Sequence, residues 1–224
     1  MFTSLAVLTT LALAAPPDEP VAPPPADTFR PAPGWKPQGP NLWFDPKARR
    51  LILRARVVLR EGPLEHLLCL KGTKEHEAIL AADTVPLRIH LGLILTGAKQ
   101  GHPVRFVPKF EPPTGSTVAI ELEWQEGGKT HRADARTWIK DEKTGATLKT
   151  DWVFAGSDFF DDPVTKERIY TADGGDLITV ANFATAILDL PFASTADNAD
   201  RIFVANTDRI PPHGTLVILY LHPR

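Results

Sequence analysis

The sequence predicts an α+β domain that is mainly β: antiparallel sheets with one buried helix, closed as a sandwich or a partly open barrel. Three observations predict it. Apolar residues recur at every second position in several segments. Those segments are punctuated by Gly, Pro and Asp-rich turns. A single stretch, PLRIHLGLILTG (86–97), departs from that rhythm and reads as a helix.

Taken in order, MFTSLAVLTTLALAA (1–15) has an apolar run from Leu5 to Ala15 and the small residues Ala12 and Ala14 at alternating positions. That is the pattern of a secretory signal peptide, although no Lys or Arg precedes the run. The run falls short of the ~20 residues a membrane-spanning helix needs, so no transmembrane span is expected once the signal is removed. Residues 16–40 carry prolines at 16, 17, 20, 23, 24, 25, 31, 33, 37 and 40 and read as an extended linker. The expected domain is 41–224.

Within it, NLWF, the turn Asp45-Pro46-Lys47-Ala48, and RRLILRARVVL form a hairpin. Leu51, Leu53, Ala55 and Val57 share its core face. Arg50, Arg54, Arg56 and Arg60, with Arg49 beside them, make a basic stripe on the other. The stripe could bind an anion, but a solvated face that protects a sheet edge is the simpler reading. LEHLLCLK and EHEAILA read as two strands joined through Gly72-Thr73. Thr84 is placed to cap the helix, Pro86 to open it and Gly97 to end it; apolar nearly all round, the helix should be buried against a sheet. TVAIELEWQ puts Val118, Ile120, Leu122 and Trp124 on one face, and Gly127-Gly128 turns it into KTHRADARTWIK. Asp141 to Gly145 is a turn. WVFAGS, ERIYTA and DLITVANF are further strands, with Asp173-Gly174-Gly175-Asp176 as the tight turn between the last two. ATAILDLP reads as a helical turn stopped by Pro191. A polar loop from Ala193 to Asp200, the strand RIFVAN and the strand GTLVILYLH close the chain.

Composition excludes several functions. Lys and Arg number 25 against 27 Asp and Glu, a balance that gives no argument for nucleic acid as a partner. The single cysteine, Cys69, excludes an intramolecular disulfide and an iron–sulfur cluster built from this chain's cysteines alone. The nucleotide-binding patterns GxGxxG and GxxxxGK[ST] are absent, and Gly156-Ser157-Asp158-Phe159 is not a GxSxG nucleophile elbow.

Three constellations remain. If the strands around Gly72-Thr73 pair as an antiparallel hairpin, Cys69 lies across from His76, an arrangement that activates a thiol or ligates a soft metal. Its plain alternative is a small buried cysteine beside a hydrogen-bonded histidine. His76-Glu77 is half of a zincin helix motif but lacks the second histidine; a composite of His66, His76 and His90 is the remaining imidazole site, with His90 read first as a satisfied core histidine. Asp158, Asp161, Asp162, Asp173 and Asp176 offer oxygens for a Ca²⁺-type site without EF-hand spacing, and turn formation alone also explains them.

LCLKGTKEHEAIL followed by PLRIHLGLILTGAKQGHPV, and DWVFAGSDFF followed by YTADGGDLITVANFATAILDLP, resemble the YdjY-like domain in order and spacing, over roughly residues 50–224. That resemblance implies an exported bacterial domain without an assigned activity, so it carries over no catalytic residues. The expectation is an extracytoplasmic, periplasmic or secreted, binding or assembly module, with another exported protein as its partner. The rival is a metal-dependent or thiol-based enzyme centred on Cys69 and His76.

Overall fold

The computed structural model describes residues 29–194 and 203–224. The expected signal peptide, the first part of the linker, most of the loop 193–200 and the start of RIFVAN lie outside the described residues.

The first hairpin forms where the sequence places it. Strand β2 (Leu42–Asp45) pairs with β3 (Arg50–Val57), Asp45 opposite Arg50. Asp45 closes the turn, accepting from the backbone of Lys47 and Ala48 and from Arg50 Nε at 3.2 Å. Leu51, Leu53, Ala55 and Val57 are buried in the main core, as their alternation requires. β1 (Lys36–Gly39) pairs with β2, so the last part of the proline-rich stretch is an added edge strand. Proline is tolerated on such an edge because its missing N–H faces away from the ladder.

The remaining strands are β4 (Pro63–Leu64), β5 (His66–Leu70), β6 (Ala78–Ala82), β7 (Thr117–Glu126), β8 (Lys129–Asp134), β9 (Ile139–Asp141), β10 (Trp152–Phe154), β11 (Phe159–Asp161), β12 (Arg168–Tyr170), β13 (Asp176–Thr179), β14 (Leu188–Asp189), β15 (Phe203–Ala205) and β16 (Leu216–Pro223). Eight of them form a ring in the order β3-β16-β7-β10-β14-β13-β5-β6, and β6 closes it by pairing with the second half of β3. The architecture is therefore a closed barrel, not a sandwich or a partly open barrel. Closure removes most of the free sheet edge. β8 hangs from β7 across the Gly127-Gly128 turn, and β4-β15-β9 and β11-β12 form two small satellite sheets.

The barrel is not purely antiparallel. β5 runs parallel to β6, with His66 level with Ala78 and Leu70 level with Ala82, and β13 runs parallel to β14. The hairpin expected around Gly72-Thr73 does not form; residues 71–77 instead carry the chain back to the starting end of β5. Both strands are buried on both faces, so their apolar runs hold no alternation from which direction could be read. For the same reason ATAILDLP contains a strand, β14, and not a helical turn. β12 and β13 pair with other strands, so the Gly174-Gly175 turn joins two sheets.

Helix α1 (Pro86–Thr96) has Pro86 in its first turn and ends at Gly97 in the left-handed conformation, φ 93°. Thr84 does not cap it; its hydroxyl donates to Pro40 O at 2.8 Å and ties the helix entry to β1. Ile89 and Leu93 enter the core and Gly92 lies against Leu51, where a Cβ would collide. The opposite side is open: Leu91, Ile94 and Leu95 are 44–54% exposed, so the helix is buried on one side only. No helix among the described residues is long and apolar enough to cross a membrane.

Candidate functional site

Parallel pairing brings the starts of β5 and β6 to one rim of the barrel. The backbone N–H groups of Glu65 and His66 both donate to Glu77 O, at 3.0 and 3.1 Å. Glu65, His66 and Glu77 thereby converge, with ligating atoms all within 4.8 Å of one another. His66 is fully buried. Its Nε2 lies 2.8 Å from Asp176 Oδ1 on β13, and Phe183 stacks on its ring at 5.3 Å. Thr185 Oγ1 donates to the other Asp176 oxygen. Burial alone would raise the Asp176 pKa, but the His66 and Thr185 hydrogen bonds and the nearby Lys74 charge pull it below the usual value. The Asp176 carboxylate accepts, so Nε2 is the ring nitrogen that donates to it. Nδ1 has no hydrogen-bond partner, and Glu77 Oε1 is 4.0 Å away from it. Burial, and then the charge and hydrogen bond of Glu77, push the Glu65 pKa up. Lys74 Nζ lies 3.6 Å from Glu77 Oε1 and 3.7 Å from Asp176 Oδ1.

The other sequence candidates are placed differently. Cys69 lies level with Ala81, not across from His76, because β5 and β6 run parallel. The thiol is buried in a small cluster with Ala78 and Ala81, and burial pushes its pKa up to about 11. That is the reverse of an activated thiol. His76 sits outside the strands with its side chain 76% exposed, 3.6 Å from Glu77 Oε2. His66 and Glu77 meet, but His76 and His90 do not join them within ligand reach. His90 on α1 is buried, with Nδ1 at 2.8 Å from Gly156 O and 2.9 Å from Tyr170 OH. Burial lowers its pKa, against the raising effect of the Gly156 bond. It bridges helix and barrel as a core histidine.

The aspartates disperse. Asp158 Oδ1 accepts from the Phe159 backbone, Asp161 is exposed 3.8 Å from Arg168, and Asp162 closes the β11–β12 turn through Val164 and Thr165. Asp173 is exposed, and Asp176 belongs to the His66 cluster. No three of these aspartates bring carboxylate oxygens within 4.8 Å of one another. Ser157 bonds Thr171 Oγ1 at 2.9 Å. Arginines of the stripe are used within the fold: Arg50 lies 4.3 Å over Tyr220, Arg56 donates to Gly214 O, Arg60 to Ile210 O and Thr207 O, and Arg49 to Thr96 O.

A second region lies outside the barrel wall. Where β3 and β16 should turn polar side chains to solvent, they present Ile52, Ile218 and Tyr220, packed with Phe29, Trp35, Trp43 and Leu216. Residues 29–35 form one wall of a cleft of about 630 Å³ there, and Trp124, Glu123 and Arg132 line the other side. Arg132 Nη2 and Glu123 Oε2, opposite each other on β8 and β7, pair at 2.7 Å in its lining. Trp35 meets Tyr220 edge-on at 6.1 Å.

Sequence reasoning missed Glu65, Glu77, Phe183 and Thr185 as a group, because only the parallel register makes residues 65 and 77 neighbours. It missed Phe29 and Trp35 because both fall in a stretch dominated by proline. The outward apolar residues Ile52, Ile218 and Tyr220 were the available signal, since an apolar residue on a solvent face calls for a cover.

The YdjY domain model matches residues 42–222. No curated protein and no solved structure matches the chain.

Proposed function

This chain belongs to the YdjY domain family, and we propose that it is an exported, non-catalytic binding domain whose ligand is an extended, proline- or aromatic-containing segment of another extracytoplasmic protein. The aromatic cleft carries the reading. Its volume, about 630 Å³, falls within the ~300–1,000 Å³ common for ligand sites. Flat rings with few rotatable bonds provide contact area at small entropic cost, and aromatic-lined grooves suit segments already extended in the polyproline conformation. The paired Arg132 and Glu123 offer one polar contact beside the aromatic side chains. Phe29 and Trp35 precede the family-matched span, so this wall is an addition by the chain's own N-terminal extension. The buried, unactivated Cys69 favours binding over thiol chemistry. Export rests on the apolar run at Leu5–Ala15 with the small residues Ala12 and Ala14 near its end.

The test is titration of the full chain with a panel of proline-rich and aromatic peptides, read by tryptophan fluorescence. Saturable binding is expected with a Kd on the order of micromolar, weakened at least about tenfold by Trp35→Ala, a loss of roughly 1.4 kcal/mol. No saturable response, or binding that Trp35→Ala leaves unchanged, overturns the reading.

A further inference from the structure

We propose that His66 Nδ1 and the carboxylates of Glu65 and Glu77 are the ligands of one borderline divalent cation of the zinc type, with Asp176 as the outer carboxylate that orients the imidazole. The argument begins with the histidine. A fully buried ring nitrogen without a hydrogen-bond partner is costly unless something occupies the space before it. Nε2 is committed to Asp176 at 2.8 Å, so Nδ1 is the ring nitrogen left to take a ligand. Glu77 Oε1 lies 4.0 Å from it, a Glu65 oxygen falls in the same cluster, and both carboxylates welcome a cation. A ligating histidine whose other nitrogen donates to a carboxylate is the usual outer arrangement at zinc sites.

Charge and geometry agree. Glu65, Glu77 and Asp176 bring three carboxylates together, and Lys74 places its ammonium 3.6 Å from Glu77 Oε1. A dication between the ligands would take over the neutralisation of Glu77 from the Lys74 ammonium, whose side chain is partly exposed. Tetrahedral zinc with bonds of about 2.0–2.1 Å places its ligands roughly 3.4 Å apart. The 4.0 Å from Nδ1 to Glu77 Oε1 therefore has to close by a fraction of an ångström, through rotation of glutamate side chains that are only part-buried. His66 itself is held still by Asp176 and by the stacked Phe183. An imidazole ligand disfavours Ca²⁺ and Mg²⁺, which prefer all-oxygen sets. Because Glu65 precedes β5, His66 opens it, Glu77 precedes β6 and the imidazole bonds Asp176 on β13, the ion would tie together three neighbouring barrel strands, a structural role independent of the aromatic cleft.

The experiment uses the full chain, stripped with chelator and titrated with Zn²⁺ by calorimetry and with Co²⁺ by visible absorption. One ion per chain is expected, with the intense Co²⁺ bands of a four-coordinate site and a higher melting temperature on adding Zn²⁺. Glu77→Gln and Glu65→Gln, at part-buried positions where folding is checked by circular dichroism, are each expected to weaken binding at least about tenfold, and Asp176→Asn about 10–100-fold. His76→Ala, which removes the exposed neighbouring imidazole, is expected to leave affinity unchanged. Absence of binding in the wild-type chain, tighter binding of Ca²⁺ than of Zn²⁺, or loss in His76→Ala with retention in Glu77→Gln would each overturn the proposal.

Discussion

Asp189 offers the sharpest test of the energetics of this barrel. It lies on β14 with no solvent exposure. Oδ1 accepts from Leu190 N at 2.7 Å, Thr179 Oγ1 at 2.9 Å and Asn182 Nδ2 at 3.1 Å, while Oδ2 has no partner. Burial pushes the pKa up to about 7 from 3.8, even though those hydrogen bonds pull it down. The sign follows from linkage. The folded state holds the proton more tightly than the unfolded chain, so this group's contribution to stability is fully present below pH 3.8 and is lost as pH rises to about 7. About three pH units at ~1.4 kcal/mol each put the loss at roughly 4 kcal/mol, complete by pH 8. Asp189→Asn keeps the shape and an accepting Oδ1 but cannot ionise. The stability of the variant minus that of the wild type should therefore rise by a few kcal/mol between pH 4 and pH 8, with most of the rise above the unfolded-state pKa. Urea unfolding followed by tryptophan fluorescence measures it, since buried Trp152 donates to Thr179 O at 2.7 Å beside the site. Taking the difference cancels the other titrating groups. A difference that stays flat from pH 4 to pH 8 would refute the reasoning, because it would mean that Asp189 titrates alike in the folded and unfolded chains.

Two further predictions concern packing. Cys69, with its thiol pushed up to about 11, is expected to react with an aromatic disulfide reagent at pH 8 at least about a hundredfold more slowly in the native chain than in urea; equal rates would place the thiol at the surface. Gly115 has φ 140°, and a Cβ there would run into the carbonyl oxygen of Phe154, so Gly115→Ala should cost about 2 kcal/mol or more in urea unfolding. A change within ~0.5 kcal/mol would show that the loop carrying Gly115 relaxes freely.

Much of the fold was legible in the residues. The inward faces of β3 and β7 followed from period-two alternation, and the β2–β3 and β7–β8 hairpins from their turn residues. The bounds of α1 followed from Pro86 and Gly97. These are local properties, set by side-chain alternation and by backbone angles that few residues adopt. The family was legible as well, through the order of segments from LCLKGTKEHEAIL to ILDLP.

The directions of β5, β6, β13 and β14 were not legible, because strands buried on both faces read as unbroken apolar runs whichever way they lie. That undetermined direction decided the site. An antiparallel reading sets Cys69 against His76; the parallel one sets His66 against Glu65, Glu77 and Asp176. The cover that Phe29 and Trp35 place over Ile52, Ile218 and Tyr220 was equally hidden, since contacts between residues far apart in the chain leave no local pattern. The sequence by itself determined which residues had to be buried and where the chain had to turn. Only the tertiary structure decided which of the buried polar groups would meet, because pairing across a closed barrel depends on strand order and direction, and neither is written in any one segment.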